Sequence, residues 1–399
     1  MSKTLVNIIT EDNPIPAYLF IKEKYESGDR LMYISAKDTE DDLDALSELF
    51  NVPATHIDEI VLKNNMDEFS YEKICRTVLA HLNNETLYCV NLAGGTRYMA
   101  LAVQQVFEKY HSTFYYVQLE ENIIVQSIFN DNIYDDDDLF YPIKHRMTIA
   151  EYLRANDIQN DVSEEGHDPI RSDAEATRFF KMFTDNIFSG DDYETMELLR
   201  LHYRKKKNVR IQEAETSIKP RYPAVPHLSS FLNHVGFIPS VNGKLNREEL
   251  EYLTGGWFEE YVYYQVKKRI MPQDIAIGLH ISRSNETHHR NELDVVFTKG
   301  NKLFVIECKT GVQTESMFNE IVYKACAINE ALLGVSCYSY IFSLKKDDGD
   351  KLKRIADNMG LTFIDYDILK TPSKLKLAMV KMDIQAKDVP IHNKDKNGS

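Results

Sequence analysis

The chain has 399 residues, 43% of them hydrophobic, and carries a formal net charge of −15 from 62 acidic and 47 basic side chains. That length suits two or three domains and that apolar share fills their cores, which excludes fibrous and globally disordered classes. The acidic balance excludes a protein that coats nucleic acid over its whole surface, while leaving room for a locally basic cleft around an acidic centre.

In chain order, short apolar runs at 4–10, 31–37, 56–62, 86–92 and 113–119 predict strands, and helix-length segments such as YLFIKEKYES and YMALAVQQVFEKY lie between them. This alternation predicts βαβ units around a largely parallel sheet. A further run at 122–128, separated from its predecessor only by Glu120 and Glu121, predicts a closing hairpin. Asp135–Asp138 read as a solvated loop, and 156–172 as a polar linker. Helical patterns follow over 174–206 and end in the basic run RKKKNVR, while 212–245 are broken by Pro220, Pro223, Pro226 and Pro239 and read as an irregular connection. From Glu248 a helix is predicted through GGWFEEYVYYQVKKRI, then strands at 275–281, 292–298 and 303–309, a helix at 314–333, a strand at 336–343, a helix at 350–358 and a strand at 361–365.

Five cysteines, Cys75, Cys89, Cys308, Cys326 and Cys337, form no CxxC pair, and Cys89 and Cys308 sit in apolar strands as buried thiols. The first residues show no signal-peptide pattern and no run reaches the roughly 18 apolar residues of a membrane span, so a cytoplasmic protein is expected.

Two constellations carry chemistry. In TLYCVNLAGGTRYMALAVQQVF a buried strand meets a glycine turn and then a helix. Gly94 and Gly95 let the backbone approach a ligand, Thr96 caps the helix, and its free N–H groups with Arg97 make an anion site. Thr10, at the end of the first strand, would line the same crevice, since ligands of open α/β sheets bind beyond the carboxyl ends of the strands. The turn lacks GxGxxG and the lysine-serine pair of a phosphate loop, which disfavours dinucleotides and NTP hydrolysis.

The second constellation is NELDVVFTKGNKLFVIECKTG, two alternating strands around Gly300-Asn301. Such a two-residue turn sets the register: Lys299 faces Lys302, Val295 faces Ile306, Asp294 faces Glu307 and Glu292 faces Lys309. Alternation then puts Leu293, Val295, Phe297, Phe304, Ile306 and Cys308 on one face and Glu292, Asp294, Glu307 and Lys309 on the other. Carboxylates so opposed, with Cβ atoms about 5 Å apart, repel unless a proton or cation lies between them. A hard divalent ion such as Mg²⁺ or Mn²⁺ supplies that cation, and Lys309 can steer water or neutralise charge on a phosphate. Glu259 or Glu260, early in the preceding helix, is the candidate third acid, with Glu259 the one assigned. His288, His289 and Arg290 precede the hairpin and could touch substrate phosphates.

Asp294 followed by Glu307-Cys308-Lys309 resembles the PD-(D/E)xK nuclease superfamily, with Leu293 standing where the usual proline would. The strand ending in Thr10 and the stretch NLAGGTRYMA, in which Gly95, Thr96, Arg97, Tyr98 and Met99 match a G-T-[KR]-x-M motif, resemble the CRISPR-associated Rossmann-fold (CARF) sensor domain. The resemblance implies an α/β chain with a Rossmann-like sensor over 1–150, a linker and helical connection over 151–245, and a restriction-endonuclease-like nuclease domain over 246–390. It further implies a homodimer activated by a cyclic oligoadenylate, expected to be cyclic tetra-adenylate, held by Thr10, Asn91, Gly94, Gly95, Thr96 and Arg97. Activity would be Mg²⁺- or Mn²⁺-dependent cleavage of DNA and/or RNA in type III CRISPR defence, with Asp294 and Glu307 on the metal and Glu259 and Lys309 completing the catalytic set. The rival readings are a ligand-responsive nucleic-acid-binding regulator that does not cut, and a restriction or repair nuclease whose N-terminal domain only dimerises.

Overall fold

Strand β1 (Lys3–Ile9) is buried along its whole length after Lys3, as a strand covered on both faces must be. In the computed structural model, described at residues 2–10, 14–36, 43, 46, 48–64, 67–127, 139–160, 168–283, 291–311, 315–328, 337–347 and 350–388, β1 lies inside a seven-stranded sheet. Its partners are β2 (Arg30–Ser35), β3 (Ile57–Val61), β4 (Leu87–Asn91), β5 (Ser112–Gln118), β6 (Ile123–Ser127) and β7 (Phe140–Pro142), in the order β3-β2-β1-β4-β5-β6-β7. The first five run parallel, and β6 and β7 close the edge antiparallel. Two apolar clusters fill its two faces, one around Ile8, Val90, Met99 and Val103, the other around Leu5, Leu19 and Tyr33.

The second sheet holds β8 (Ile158–Asn160), β13 (Asp274–Arg283), β14 (Asn291–Lys299), β15 (Lys302–Lys309), β16 (Cys337–Ser343) and β17 (Thr362–Ile364), in the order β17-β16-β15-β14-β13-β8. Small ladders join β9 (Asn208–Arg210) to β12 (Lys244–Asn246), and β10 (Ile218–Lys219) to β11 (Tyr222–Pro223). The helix Trp257–Arg269 covers one face and packs Phe258, Val262 and Val266 against Val295, Phe297 and Ile306. The chain is thus an α/β protein with a parallel-dominated first sheet and a second α/β unit.

Three expectations need correction. Residues 158–160, read as linker, pair with Arg283–Ile281 as the edge strand of the second sheet. The stretch 212–245 is structured: helices Ile211–Glu215 and Leu228–Val235 bury Ala214, Phe231 and Leu232 in the same core as the second sheet. The helix from Glu248 breaks into Arg247–Glu251, a π-helical turn Tyr252–Gly256 and Trp257–Arg269, because Gly255 takes φ 156. Asp135–Asp138 and His288–Arg290 lie outside the described residues. Cys308 is buried, whereas Cys89 is only partly so. Among the described residues no helix is long and apolar enough to cross a membrane.

Candidate active site

The Gly300-Asn301 turn has both residues at φ +58, the conformation of a type I′ reversal whose twist matches the strands it joins. It pairs Lys299 with Lys302 and every residue back to Val295 with Ile306. There the β14–β15 ladder ends, and the site opens. Asp294 Oδ2 accepts the Cys308 backbone N–H at 2.6 Å, a bond made by a side chain where a strand carbonyl would otherwise serve. Lys309 Nζ lies 3.5 Å from the same oxygen and forms an ion pair with Glu307 Oε1. One ammonium therefore bridges the two carboxylates. The face assignment needs one change: Leu293 packs with Val296, Leu303 and Val305, while Val295 and Phe297 pack with Trp257 and Phe258, so strict alternation breaks at Asp294.

The electrostatics follow from burial. Asp294 is 8% exposed. Burial first, then Glu307, raises its pKa to about 7 against the opposing pull of Lys309 and the Cys308 N–H. Burial works against the Lys309 ammonium, but Asp294 and Glu307 outweigh it and hold its pKa above the ordinary lysine range. Glu259, one turn into the Trp257–Arg269 helix, is pushed well above the carboxylate range by burial and then by Asp294 and Glu292. Its neighbour Glu260 is committed elsewhere: it accepts from the Ile170 and Arg171 N–H groups at 2.9 and 3.1 Å, and burial lifts it to about 7. Of the two acids, Glu259 is the one that faces Asp294.

Glu259 and Glu260 border a cavity of about 390 Å³ whose walls also include Gly256, His280, Glu292, Arg204 and Lys205. His280 stands opposite Glu292 in the β13–β14 ladder. The sequence puts Glu292 on the charged face of the hairpin and marks His202–Arg210 as a candidate backbone-contacting patch, which contains Arg204 and Lys205; it gives no signal for His280.

At the first sheet, Thr10 Oγ1 donates to the Gly94 carbonyl at 2.8 Å and ties the end of β1 to the glycine turn. Gly94 takes φ 102, and a Cβ on Gly95 would collide with Ile8 Cγ2, so the motif needs both glycines. Thr96 caps the helix Arg97–Phe107 by accepting the Met99 N–H at 3.2 Å. Arg97 is exposed and has no ion-pair partner among the described residues. Asn91 departs from the expected ligand contact. It is fully buried, donates to Asn7 Oδ1 and the Pro16 carbonyl, and accepts the Ala93 N–H, so it shapes the turn from inside.

Comparison with known proteins bears on both constellations. Residues 4–152 match the family model described as the Card1 CARF domain, and residues 246–376 the one described as the Card1-like endonuclease domain. Among solved structures, protein VC1899 from Vibrio cholerae superposes with a TM-score of 0.72 at 20% identity, over 97% of this chain and 99% of that one. Can2 from Sulfobacillus thermosulfidooxidans, solved in complex with cyclic tetra-adenylate, gives 0.66 at 20% identity over 96% and 99%. A type III CRISPR defence DNA nuclease activated by cyclic oligoadenylate gives 0.52 at 14% identity over 96% of this chain and 52% of that one. No curated protein matches by sequence.

Proposed function

The chain is a CARF domain joined to a Card1-like endonuclease domain, and from that premise we propose a messenger-activated, metal-dependent nuclease of type III CRISPR defence whose phosphodiester chemistry is carried by Asp294, Glu307, Lys309 and Glu259. We assign the sensor to 1–150, the connection to 151–245 and the nuclease to 246–390. The observation that carries the reading is the Lys309 ammonium held between two carboxylates, with a third acid, Glu259, packed beside them.

The donor set fits a hard divalent cation. Among the described residues no three ligand-type side chains form a ready-made cage, but Mg²⁺ asks only one or two carboxylates of a protein and completes its shell with water and substrate phosphate. Burial, and then Glu307 beside it, raise the Asp294 pKa against the pull of Lys309, which favours a second cation at this pair; Asp294 and Glu307 would hold Mg²⁺ or Mn²⁺. When bound, such an ion supplies a polarised phosphoryl oxygen and an acidified water. Asp294 is locked in aim by the Cys308 N–H, so it needs no reorganisation on binding. Lys309, always protonated in this setting, places positive charge where the phosphate gains negative charge. Glu259, whose pKa burial and the neighbouring Asp294 and Glu292 raise, can give or take a proton at the cleft wall.

At the other site, Thr10, Gly94, Gly95, Thr96 and Arg97 would hold a cyclic oligoadenylate, with Asn91 fixing the turn beneath them. Cyclic tetra-adenylate is the proposed messenger, supported by its presence on the structural neighbour Can2. Homodimerisation is proposed on the packed helices Tyr71–Leu79 and Arg97–Phe107, which leave Tyr98 and Leu101 54% and 58% exposed; large side chains displayed together in this way mark association surfaces.

The test is incubation of plasmid DNA and single-stranded RNA with and without Mn²⁺ and cyclic tetra-adenylate. Wild type should cut only with both, and Lys309→Ala should lose about 10²–10³-fold in rate, the usual scale for one electrostatic group. Glu307→Gln should be inactive. Wild-type cleavage by either variant ends the assignment of these residues.

A further inference from the structure

We propose that Arg204, with Lys205 beside it, is a substrate-positioning residue that grips the nucleic-acid backbone next to the scissile phosphate. The proposal rests on the nuclease reading above and assigns part of the helical connection to the active site.

The sequence already sets this segment apart. Between Arg200 and Pro223 it holds eight basic residues against two acids, Glu213 and Glu215, in a chain whose net charge is −15. The fold then sorts these cations. Arg200 pairs with Glu197, Arg210 with Glu213, and Lys206 lies 3.4 Å from the Tyr222 ring centre. Arg204 and Lys205 have no ion-pair partner among the described residues, and both line the 390 Å³ cavity that Glu259 and Glu292 border from the other side.

Their backbone is anchored while their heads stay free. Tyr203 is buried with its hydroxyl donating to the Pro223 carbonyl at 2.8 Å, and the Arg204 N–H closes onto Leu199 O at 2.9 Å at the end of the helix Gly190–His202. The side chains that follow are exposed. The guanidinium also lies close enough to Glu259 to lower that acid's raised pKa, which places it within reach of the catalytic wall.

Charge decides the occupant. The cleft gathers Glu248, Glu251, Glu259 and Glu292 at its walls, with Asp294 and Glu307 beside them, so a polyanion would be repelled without cations to meet it. Arginine suits the role: its planar fork takes two phosphate oxygens at once and stays charged at every relevant pH.

The experiment uses the full chain with Glu307→Gln, cyclic tetra-adenylate and Mn²⁺, and measures binding of short fluorescein-labelled single-stranded DNA and RNA across a salt series. Adding Arg204→Ala should weaken binding about tenfold and make the log–log salt slope shallower by about one, the signature of a lost phosphate contact. Arg204→Lys should retain most of the slope but only part of the affinity. In the otherwise wild-type enzyme, Arg204→Ala should raise KM about tenfold, with a much smaller change in kcat. Unchanged affinity and slope would overturn the proposal whether or not the parent enzyme cuts. A changed pH profile with an unchanged slope would also overturn it, by showing that Arg204 serves Glu259 alone. A wild-type chain that never cuts, while the Glu307→Gln chain still binds through Arg204, supports the proposal and sinks the nuclease reading instead. No binding by the Glu307→Gln chain overturns the proposal, and wild-type cleavage then decides the nuclease reading separately.

Discussion

Asp294 sets burial and a neighbouring carboxylate against one ammonium and one backbone N–H, and the first two win: its pKa rises to about 7. The sign of the consequence follows. A carboxyl with a raised folded pKa favours the folded state below its unfolded value, near 4, and that contribution is lost as pH rises through about 7. In EDTA, the wild type should therefore lose stability over that window relative to Asp294→Asn, whose amide oxygen can still accept the Cys308 N–H. At pH 7 the variant should melt higher than the wild type; near pH 4 the two should coincide. Mn²⁺ should raise the melting temperature of the wild type and leave the variant unmoved. Melting curves that track each other at every pH, with or without metal, would show that the acids are not crowded as described. Register from Lys299 to Val295 was legible beforehand, because alternation and a Gly-Asn turn leave few pairings. The end of the ladder at Asp294, and Leu293 turning into the other core, were not, since no local pattern announces a side chain replacing a strand bond. Glu259 and Glu260 were indistinguishable until the Ile170 and Arg171 N–H groups claimed the second. Asn91, polar and next to a ligand turn, read as a contact; only its three inward bonds reveal a structural role.

At the scale of elements, long periodic segments were readable and short punctuated ones were not. Strands β1 and β2 carry apolar runs that fit a two-sided cover, β4 and β5 are less fully buried but still apolar, and the helix Arg97–Phe107 follows its glycine turn as anticipated. The connection is different, because helices of five and eight residues between prolines take their stability from packing rather than from local preference. One of its joints is polar. Asp192 Oδ2 accepts from the Ser189 N–H and hydroxyl, each at 2.7 Å, and from His234 Nδ1 at 2.8 Å. It closes a capping box and pins the helix Gly190–His202 to the helix Leu228–Val235. Burial raises the Asp192 pKa, but the Ser189 bonds and His234 outweigh it and leave it below the usual value of 3.8. A depressed carboxyl contributes stability above its unfolded pKa and loses it as pH falls through the folded one. Asp192→Ala takes the acceptor from the part-buried Ser189 N–H and from His234 and leaves only half of the capping box, so urea unfolding at pH 7 should show a loss of about 2 kcal/mol. The difference should shrink below pH 4. A variant as stable as the parent at pH 7 would mean that apolar packing alone holds the two helices.

Across the whole molecule, the hairpin that carries Asp294 and Glu307 has its far end plugged into the first unit. Asn301 accepts the Met147 N–H at 2.9 Å and donates to the His145 carbonyl at 3.0 Å. Lys302, 1% exposed, donates to the Glu120 carbonyl in the β5–β6 turn and to Gln385 and Ala386 in the C-terminal helix. Asp274 accepts the Ile149 N–H, and Arg146 pairs with Asp388. Leu279, Leu293 and Val296 share one apolar cluster with Tyr152 and Leu153. From Asn301 to Glu307 is six residues of regular strand, about 20 Å, and a paired strand transmits displacement with little give. A shift of the β5–β6 turn on messenger binding would reach the carboxylates through this hairpin. Asn301→Gly isolates the effect: glycine accepts the left-handed backbone at no steric cost, so the turn survives while every side-chain bond of Asn301 vanishes. Messenger affinity should stay near that of the parent, and the stimulation of cleavage by cyclic tetra-adenylate should fall by about fivefold or more, the lower end of typical coupling between sites. If that stimulation is undiminished, the signal bypasses the turn, and the apolar cluster around Tyr152 becomes the connection to break next.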